Sequence, residues 1–194
     1  MLQKVVFLDR DGVINRDSPS YIKNLAEFIF IPGSLSAICK LSRYGYSVYV
    51  ITNQSGIARN LIDLHELNNI HGYLIESVHK AGGHLGGIYY CPHHPDHRCN
   101  CRKPQPGLIY KAALDNCIDI SSSIMIGDKY TDIECAKRAG CKCAYLVMTG
   151  IDKQQEIYTK KFPLEFCRNT GNLFQAVDII IEENERQNQQ HEYH

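Results

Sequence analysis

The 194-residue chain has no surplus of either charge: Lys and Arg total 21, and so do Asp and Glu. That balance removes the basic face on which nucleic-acid binding depends. No apolar run approaches the roughly 18 residues of a membrane span. The N-terminus carries one lysine and a short apolar run broken at once by Asp-Arg-Asp, which is not the pattern of a signal peptide. A cytoplasmic protein is expected, with neither nucleic acid nor membrane as partner and, from its evenly polar surface, a monomer. Internal repeats and low-complexity linkers are missing too. One domain with a proper core is expected over 1–184, followed by a polar, disordered tail over 185–194.

Cysteine is not scarce. There are nine, an odd number. Without a secretory pattern, metal binding, catalysis or plain burial explains them better than disulfides. Cys39, Cys117, Cys135 and Cys167 are scattered, whereas Cys91, Cys99 and Cys101 sit among histidines.

Short apolar runs alternate with helix-period segments. Strands are expected at 4–9, 46–53, 86–91, 122–128 and 141–147. Helices are expected at 34–44, ended by Gly45; at 63–80, with Asp63 and Glu66 as a capping box; from Pro106 to Cys117; at 131–139, stopped by Gly140; and at 172–181. The helix over 63–80 carries the stripe Leu64, Leu67, Ile70, Leu74, Ile75, Val78. This alternation predicts an α/β fold, a doubly wound parallel sheet with helices on both faces. In such sheets ligands bind beyond the carboxyl ends of the strands.

Three strands end in polar residues: Asp9-Arg10-Asp11, then Thr52-Asn53-Gln54-Ser55-Gly56, then Gly127-Asp128-Lys129. Each alone has a plain reading. A D-x-D after a strand is usually a surface pair, Thr-Asn a helix cap and Gly-Asp a turn. Gathered at one edge, the aspartates repel unless a divalent cation joins them, and oxygen-only ligands favour a hard ion such as Mg²⁺. One carboxylate can act as nucleophile and a neighbour as general acid and base. Thr52 and Asn53 offer donors to phosphate oxygens, and Lys103 or Lys129 can neutralise phosphoryl charge. Asp17 and Tyr21, in the 15–30 stretch that covers this edge, are candidate substrate contacts.

The segment "CPHHPDHRCNC" puts three cysteines and three histidines within residues 91–101. Three thiolates and one imidazole make a tetrahedral zinc set with no open position, so a structural Zn²⁺ is expected. Spacing does not choose among His93, His94 and His97. The loop leads directly to Arg102 and Lys103, so fixing it would hold both side chains over the phosphate site. Cys141 and Cys143 are read as core residues on one face of a strand, and His65, His71, His79 and His84 as surface residues.

"FLDRDGVIN" (7–15), "VITNQSGIAR" (50–59), "CRKPQPG" (101–107) and "MIGDKYTDIECAKRAG" (125–140), in this order, resemble the haloacid dehalogenase superfamily of phosphatases over about residues 4–148. Within it the chain looks like the branch of heptose bisphosphate 7-phosphatases and histidinol-phosphate phosphatases. The resemblance implies Asp9 as nucleophile and Asp11 as general acid and base. It implies Mg²⁺ held by Asp9, the Asp11 carbonyl and Asp128, and a phosphoryl group steadied by Thr52 and Lys103. Arg102, with Asn53, Gln54 and Ser55 beside it, would meet the substrate, and Lys129 would anchor Asp128 or the phosphate. For zinc it selects Cys91, His93, Cys99 and Cys101.

No segment is long enough for a domain-sized lid, so an open edge and a small phosphorylated sugar as substrate are expected. "TNQSGIAR" and "RDGVIN" resemble the heptose enzymes, which would place the chain in the synthesis of nucleotide-activated heptose for bacterial surface polysaccharide such as lipopolysaccharide. The compact loop, with seven residues between Cys91 and Cys99, resembles the histidinol branch. A catalytically inactive, zinc-stabilised binding module is the alternative of a different class, which the presence of Asp9, Asp11, Thr52, Lys103 and Asp128 disfavours.

Overall fold

A computed structural model describes residues 3–152 and 154–192. The strands are β1 (Lys4–Leu8), β2 (Tyr46–Asn53), β3 (Gly87–Cys91), β4 (Ile124–Gly127), β5 (Cys143–Val147) and β6 (Cys167–Thr170). They pair in parallel in the order β3-β2-β1-β4-β5-β6. The helices are α1 (Ser34–Arg43), α2 (Leu64–Lys80), α3 (Gly107–Asn116), α4 (Tyr130–Ala139), α5 (Gln155–Thr159) and α6 (Leu173–Glu192).

Strand alternation divides the core in two. Val6 and Leu8 of β1 pack with α1, α2 and α6, while Val5 and Phe7 pack with α3 and α4. Both faces of the sheet are therefore covered, which is why its strands read as continuous apolar runs rather than alternating ones. Each fully buried side chain of this kind contributes about 1.5–3 kcal/mol. The strand order reverses between β1 and its neighbours β2 and β4, and the crevice at their carboxyl ends is the ligand position of such sheets.

Several expectations are corrected. β6 and α5 were not expected: β6 is a short edge strand with Arg168 and Asn169 exposed, and α5 has only five residues. α6 continues past Ile181 through polar residues to Glu192, so most of the expected tail is helical; residues 193–194 lie outside the described residues. On α2, Leu64 and Ile75 are exposed, and His71 takes an inward position beside Leu67, Ile70, Leu74 and Val78. Cys141 precedes β5 instead of lying in it. It packs on the α3–α4 side while Cys143 packs on the other, so the two thiols do not share a face.

The Asp63 cap is as expected: its side chain accepts the Glu66 N–H at 2.8 Å. Asp63→Ala should lower stability by about 1 kcal/mol, read as a shift in denaturant midpoint at constant slope; no shift would mean that the cap contributes nothing.

Candidate active site

β1 carries Asp9 out of the sheet at the crevice. The chain then turns tightly: the Arg10 carbonyl accepts the N–H groups of Ile14 (2.8 Å) and Asn15 (3.2 Å), and Gly12 adopts φ +85°. A Cβ on Gly12 would lie 2.3 Å from Asp128 Oδ2, and one on Gly150 would lie 2.2 Å from the same oxygen. Only glycine lets these two backbone segments close around Asp128. The Thr149 hydroxyl donates to the Gly12 carbonyl at 2.6 Å and ties the two together.

Lys103 organises the acids. It is 3% exposed, and its Nζ lies 2.9 Å from Asp9 Oδ1, 2.7 Å from Asp132 Oδ1 and 2.7 Å from the Ile51 carbonyl. Burial alone would lower the pKa of this amine, but Asp132 and Asp9 raise it, so it stays charged. Asn53 secures Lys103 from behind, accepting its N–H at 3.0 Å and donating to its carbonyl at 3.2 Å. The Asn53 amide, expected at the substrate, is thus largely committed to positioning Lys103.

Asp11 is treated differently. Its carboxylate receives Arg10 Nε (3.1 Å) and Nη2 (3.0 Å), Asn15 Nδ2 (2.8 Å) and Gln54 Nε2 (2.8 Å). Burial works against its charge, but Arg10 and the amide donors hold its pKa below the usual value. Asp9 goes the other way: burial, opposed by Lys103, pushes it up to about 6. Asp128 is also raised, chiefly by burial. Both of its oxygens are buried without a hydrogen-bond partner, and Lys129, whose Nζ is 3.8 Å away, is engaged by Asp17 at 2.8 Å.

Arg10 is taken by Asp11 and Lys103 is shared by Asp9 and Asp132, so Asp128 has only the charge of Lys129 at 3.8 Å, which also serves Asp17, and no hydrogen-bond donor. Ligand atoms of Asp9, Asp128 and Asp132 lie within 4.8 Å of one another. A hard divalent cation fits that donor set and would pair the orphaned Asp128 oxygens. The Asp11 carboxylate stands outside this group. Asp132, which the sequence reading passed over, lies one helical turn after Asp128, where its Oδ2 also accepts the Lys129 N–H at 3.0 Å and opens α4. The motif "GDKYTD" held that signal.

Asp9, Asp11 and Asp132 border a cavity of about 550 Å³ that also reaches Asp17, Tyr21, Ser55, Arg102 and Lys129. The Thr52 hydroxyl accepts Gln54 Nε2 at 3.0 Å, which leaves its own hydrogen for a ligand. Tyr21, at φ +65°, places its hydroxyl 3.4 Å from Ser55 Oγ. Arg102 Nη1 is buried without a hydrogen-bond partner. Every residue expected at the substrate borders this cavity, together with Ile22 and Thr131, which were not anticipated.

Beyond β3, Cys91, His93, Cys99 and Cys101 converge. Sγ to Sγ distances are 3.3–3.6 Å, and His93 Nδ1 is 3.3 Å from Cys101 Sγ and 3.6 Å from Cys91 Sγ. A tetrahedral ion with bonds of about 2.3 Å to sulfur sets such edges near 3.7 Å. His94 instead faces Asp96. The Cys91 carbonyl accepts the Gln54 N–H at 2.8 Å, which links this loop to the Thr52–Ser55 segment.

A family model described as HAD-hydrolase-like matches residues 100–169. The D-glycero-β-D-manno-heptose-1,7-bisphosphate 7-phosphatase of Pseudomonas aeruginosa is 47% identical over 150 residues, 77% of this chain and 84% of that protein. The protein of the same name from Bordetella bronchiseptica is 42% identical, over 76% and 82% of the two chains. Among solved structures, the D,D-heptose 1,7-bisphosphate phosphatase of B. bronchiseptica complexed with magnesium and phosphate superposes with a TM-score of 0.86 at 37% identity, covering 93% of this chain and 99% of that one.

The raised acids set a pH dependence. Above about pH 6 the metal-free protein bears an ionised Asp9 at a cost, burial opposes the charge of Asp128 in the same direction, and such cost disappears as a group takes up its proton at lower pH. Mg²⁺ should therefore raise Tm more at about pH 7.5 than at about pH 5.5, measured by thermal shift. An equal increment at both values would contradict this cation site.

Proposed function

The chain belongs to the haloacid dehalogenase-like hydrolases, in the family of the D-glycero-β-D-manno-heptose-1,7-bisphosphate 7-phosphatases, and we propose that it removes the C7 phosphate of that bisphosphate. The observation that carries the chemistry is the placement of the pair at the end of β1: Asp9 and Asp11 border one cavity with Thr52 and Lys103. Without a bound cation and phosphate the shifts run against the two roles, Asp11 held low and Asp9 raised, and a cation beside Asp9 with a phosphate beside Asp11 would move each the other way.

Asp9 Oδ1 is held by the Arg10 N–H at 2.7 Å and by Lys103, and Oδ2 is left to attack phosphorus. The new bond to Asp9 forms as the bond from phosphorus to the sugar oxygen breaks, and Asp11 gives that oxygen its proton. Asp11 then takes a proton from the water that attacks the aspartyl phosphate, releasing phosphate and restoring Asp9. The Thr52 hydroxyl and Lys103 stabilise the phosphoryl oxygens. Mg²⁺ would be held by Asp9 and Asp128, with Asp132 in the same cluster and, by the resemblance, the Asp11 carbonyl, and would supply positive charge at the transferring group. Arg102, with its buried unpaired Nη1, and Lys129 face the rest of the substrate, whose second phosphate needs cations. Asp17, Tyr21, Gln54 and Ser55 shape the sugar side. The product, a sugar 1-phosphate, suits a nucleotidyl-transfer step toward an activated heptose.

Zn²⁺ is the metal we assign to Cys91, His93, Cys99 and Cys101. It would fix the loop that leads to Arg102 and Lys103. Cys99→Ser should lose bound zinc and several degrees of Tm, with KM rising more than kcat falls as Arg102 loosens; unchanged zinc content, read by metal analysis, would contradict the assignment.

The substrate is tested by kcat/KM with Mg²⁺ for heptose 1,7-bisphosphate against histidinol phosphate. A large preference for the bisphosphate is expected, together with a loss of more than about a thousandfold in Asp9→Asn. Preference for histidinol phosphate would overturn the substrate, and an active Asp9→Asn would overturn the mechanism.

A further inference from the structure

Arg10 is the largest fully buried side chain among the described residues. Nothing in the chemistry above calls for an arginine between the two aspartates. Three of its contacts go to Asp11: Nε to Oδ1 at 3.1 Å, and Nη2 to both oxygens at 3.0 Å. Its far side meets a histidine 61 residues away in sequence, with Nη1 3.2 Å from His71 Nε2. Arginine offers donors only and keeps its charge, so His71 Nε2 must accept, and the ring is neutral with its proton on Nδ1. Burial and the charge of Arg10 push His71 down to about 3, in keeping with that state. The Phe28 ring lies 5.9 Å from the guanidinium, and the Tyr90 ring lies 5.6 Å from the His71 ring.

The guanidinium is thus bracketed by one carboxylate and one imidazole in a dry environment. It cannot turn without leaving a buried donor unpaired. We infer that His71 is a positioning residue: an uncharged acceptor that fixes Arg10, which in turn presents Asp11 to the departing sugar oxygen. This rests on the reading of Asp11 as the general acid. It gives α2, otherwise a packing helix, a part in the reaction.

The leaving group separates this role from mere packing. A sugar alkoxide needs the proton of Asp11 as its bond to phosphorus breaks. 4-Nitrophenolate, a stable anion, leaves without one. kcat/KM reports the step that forms the aspartyl phosphate, so it is compared for heptose 1,7-bisphosphate and 4-nitrophenyl phosphate in the wild type, Asp11→Asn, His71→Leu and His71→Gln. Gln places an acceptor where Nε2 stands; Leu has none.

In His71→Leu the loss on the sugar phosphate should exceed the loss on the aryl phosphate by about tenfold or more, as general-acid catalysis contributes about 10²–10⁴. His71→Gln should restore most of the difference. Should His71→Leu not fold, His71→Asn replaces it, since its amide reaches only the Nδ1 position. Equal losses on both esters in the Leu or Asn variant, or a Gln variant as impaired as Leu, would overturn the inference while Asp11→Asn still discriminates between the esters. Equal losses in Asp11→Asn would overturn the acid–base reading and the inference with it.

Discussion

The structure depends on one buried cation. Lys103 gives up its hydration to sit between Asp9, Asp132 and the Ile51 carbonyl. These groups come from the end of β1, from α4 and from β2, so a single ammonium joins three segments that the sheet brings together. Removing it would leave two carboxylates buried without their partner, a change that typically costs about 3–5 kcal/mol. The fold would lose stability and, on the proposed mechanism, the reaction its phosphate ligand in the same substitution. The surrounding architecture serves this contact: Asn53 clamps the Lys103 backbone, and the loop that delivers it carries the converging Cys91, His93, Cys99 and Cys101.

Around that centre the charges are sorted into pairs. Arg10 and His71 serve Asp11, Asp17 holds Lys129, and Asp128 is left with two buried oxygens and no hydrogen-bond partner. The acid without a hydrogen-bond donor is the one whose surroundings, Gly12 and Gly150, leave no room for a side chain against it. The same sorting separates the pKa values of the two aspartates at the end of β1, although they are only two residues apart. A phosphate dianion arriving beside Asp11 raises its pKa, and positive charge beside Asp9 lowers that one. Loading the site therefore moves both groups toward the protonation states that attack and proton donation require.

Much of this was legible in the sequence. Buried parallel strands are long apolar runs, and β2 is recovered over its full length, 46–53. Asp9, Asp11 and Thr52–Ser55 border one cavity because they end or follow β1 and β2 of the same sheet, and the loops after β1 and β3 bring Asp17, Tyr21, Arg102 and Lys103 to it. The misses share a cause: the deciding partner was remote. His71 looks like a surface histidine until Arg10 approaches it from another element. Asn53 looks like a phosphate ligand until Lys103 occupies its amide. Asp132 sits in a helix whose local pattern already explains it as a first-turn acid. Cys141 and Cys143 were assigned one face on the premise that both lie in the strand, but β5 begins only at Cys143. β6 has too few apolar residues to announce a strand, since an edge position buries only its ends.

The central proposal is that Asp9, its Oδ1 held by Lys103 and the Arg10 N–H, takes the phosphoryl group on Oδ2. The most direct measurement is to quench the enzyme with acid during turnover with Mg²⁺ and map any covalent phosphate by peptide mass spectrometry. The account expects an acid-stable, base-labile phosphate on the peptide that contains Asp9, accumulating further in Asp11→Asn. Phosphate mapped to another residue, or turnover with no adduct in either protein, would contradict it.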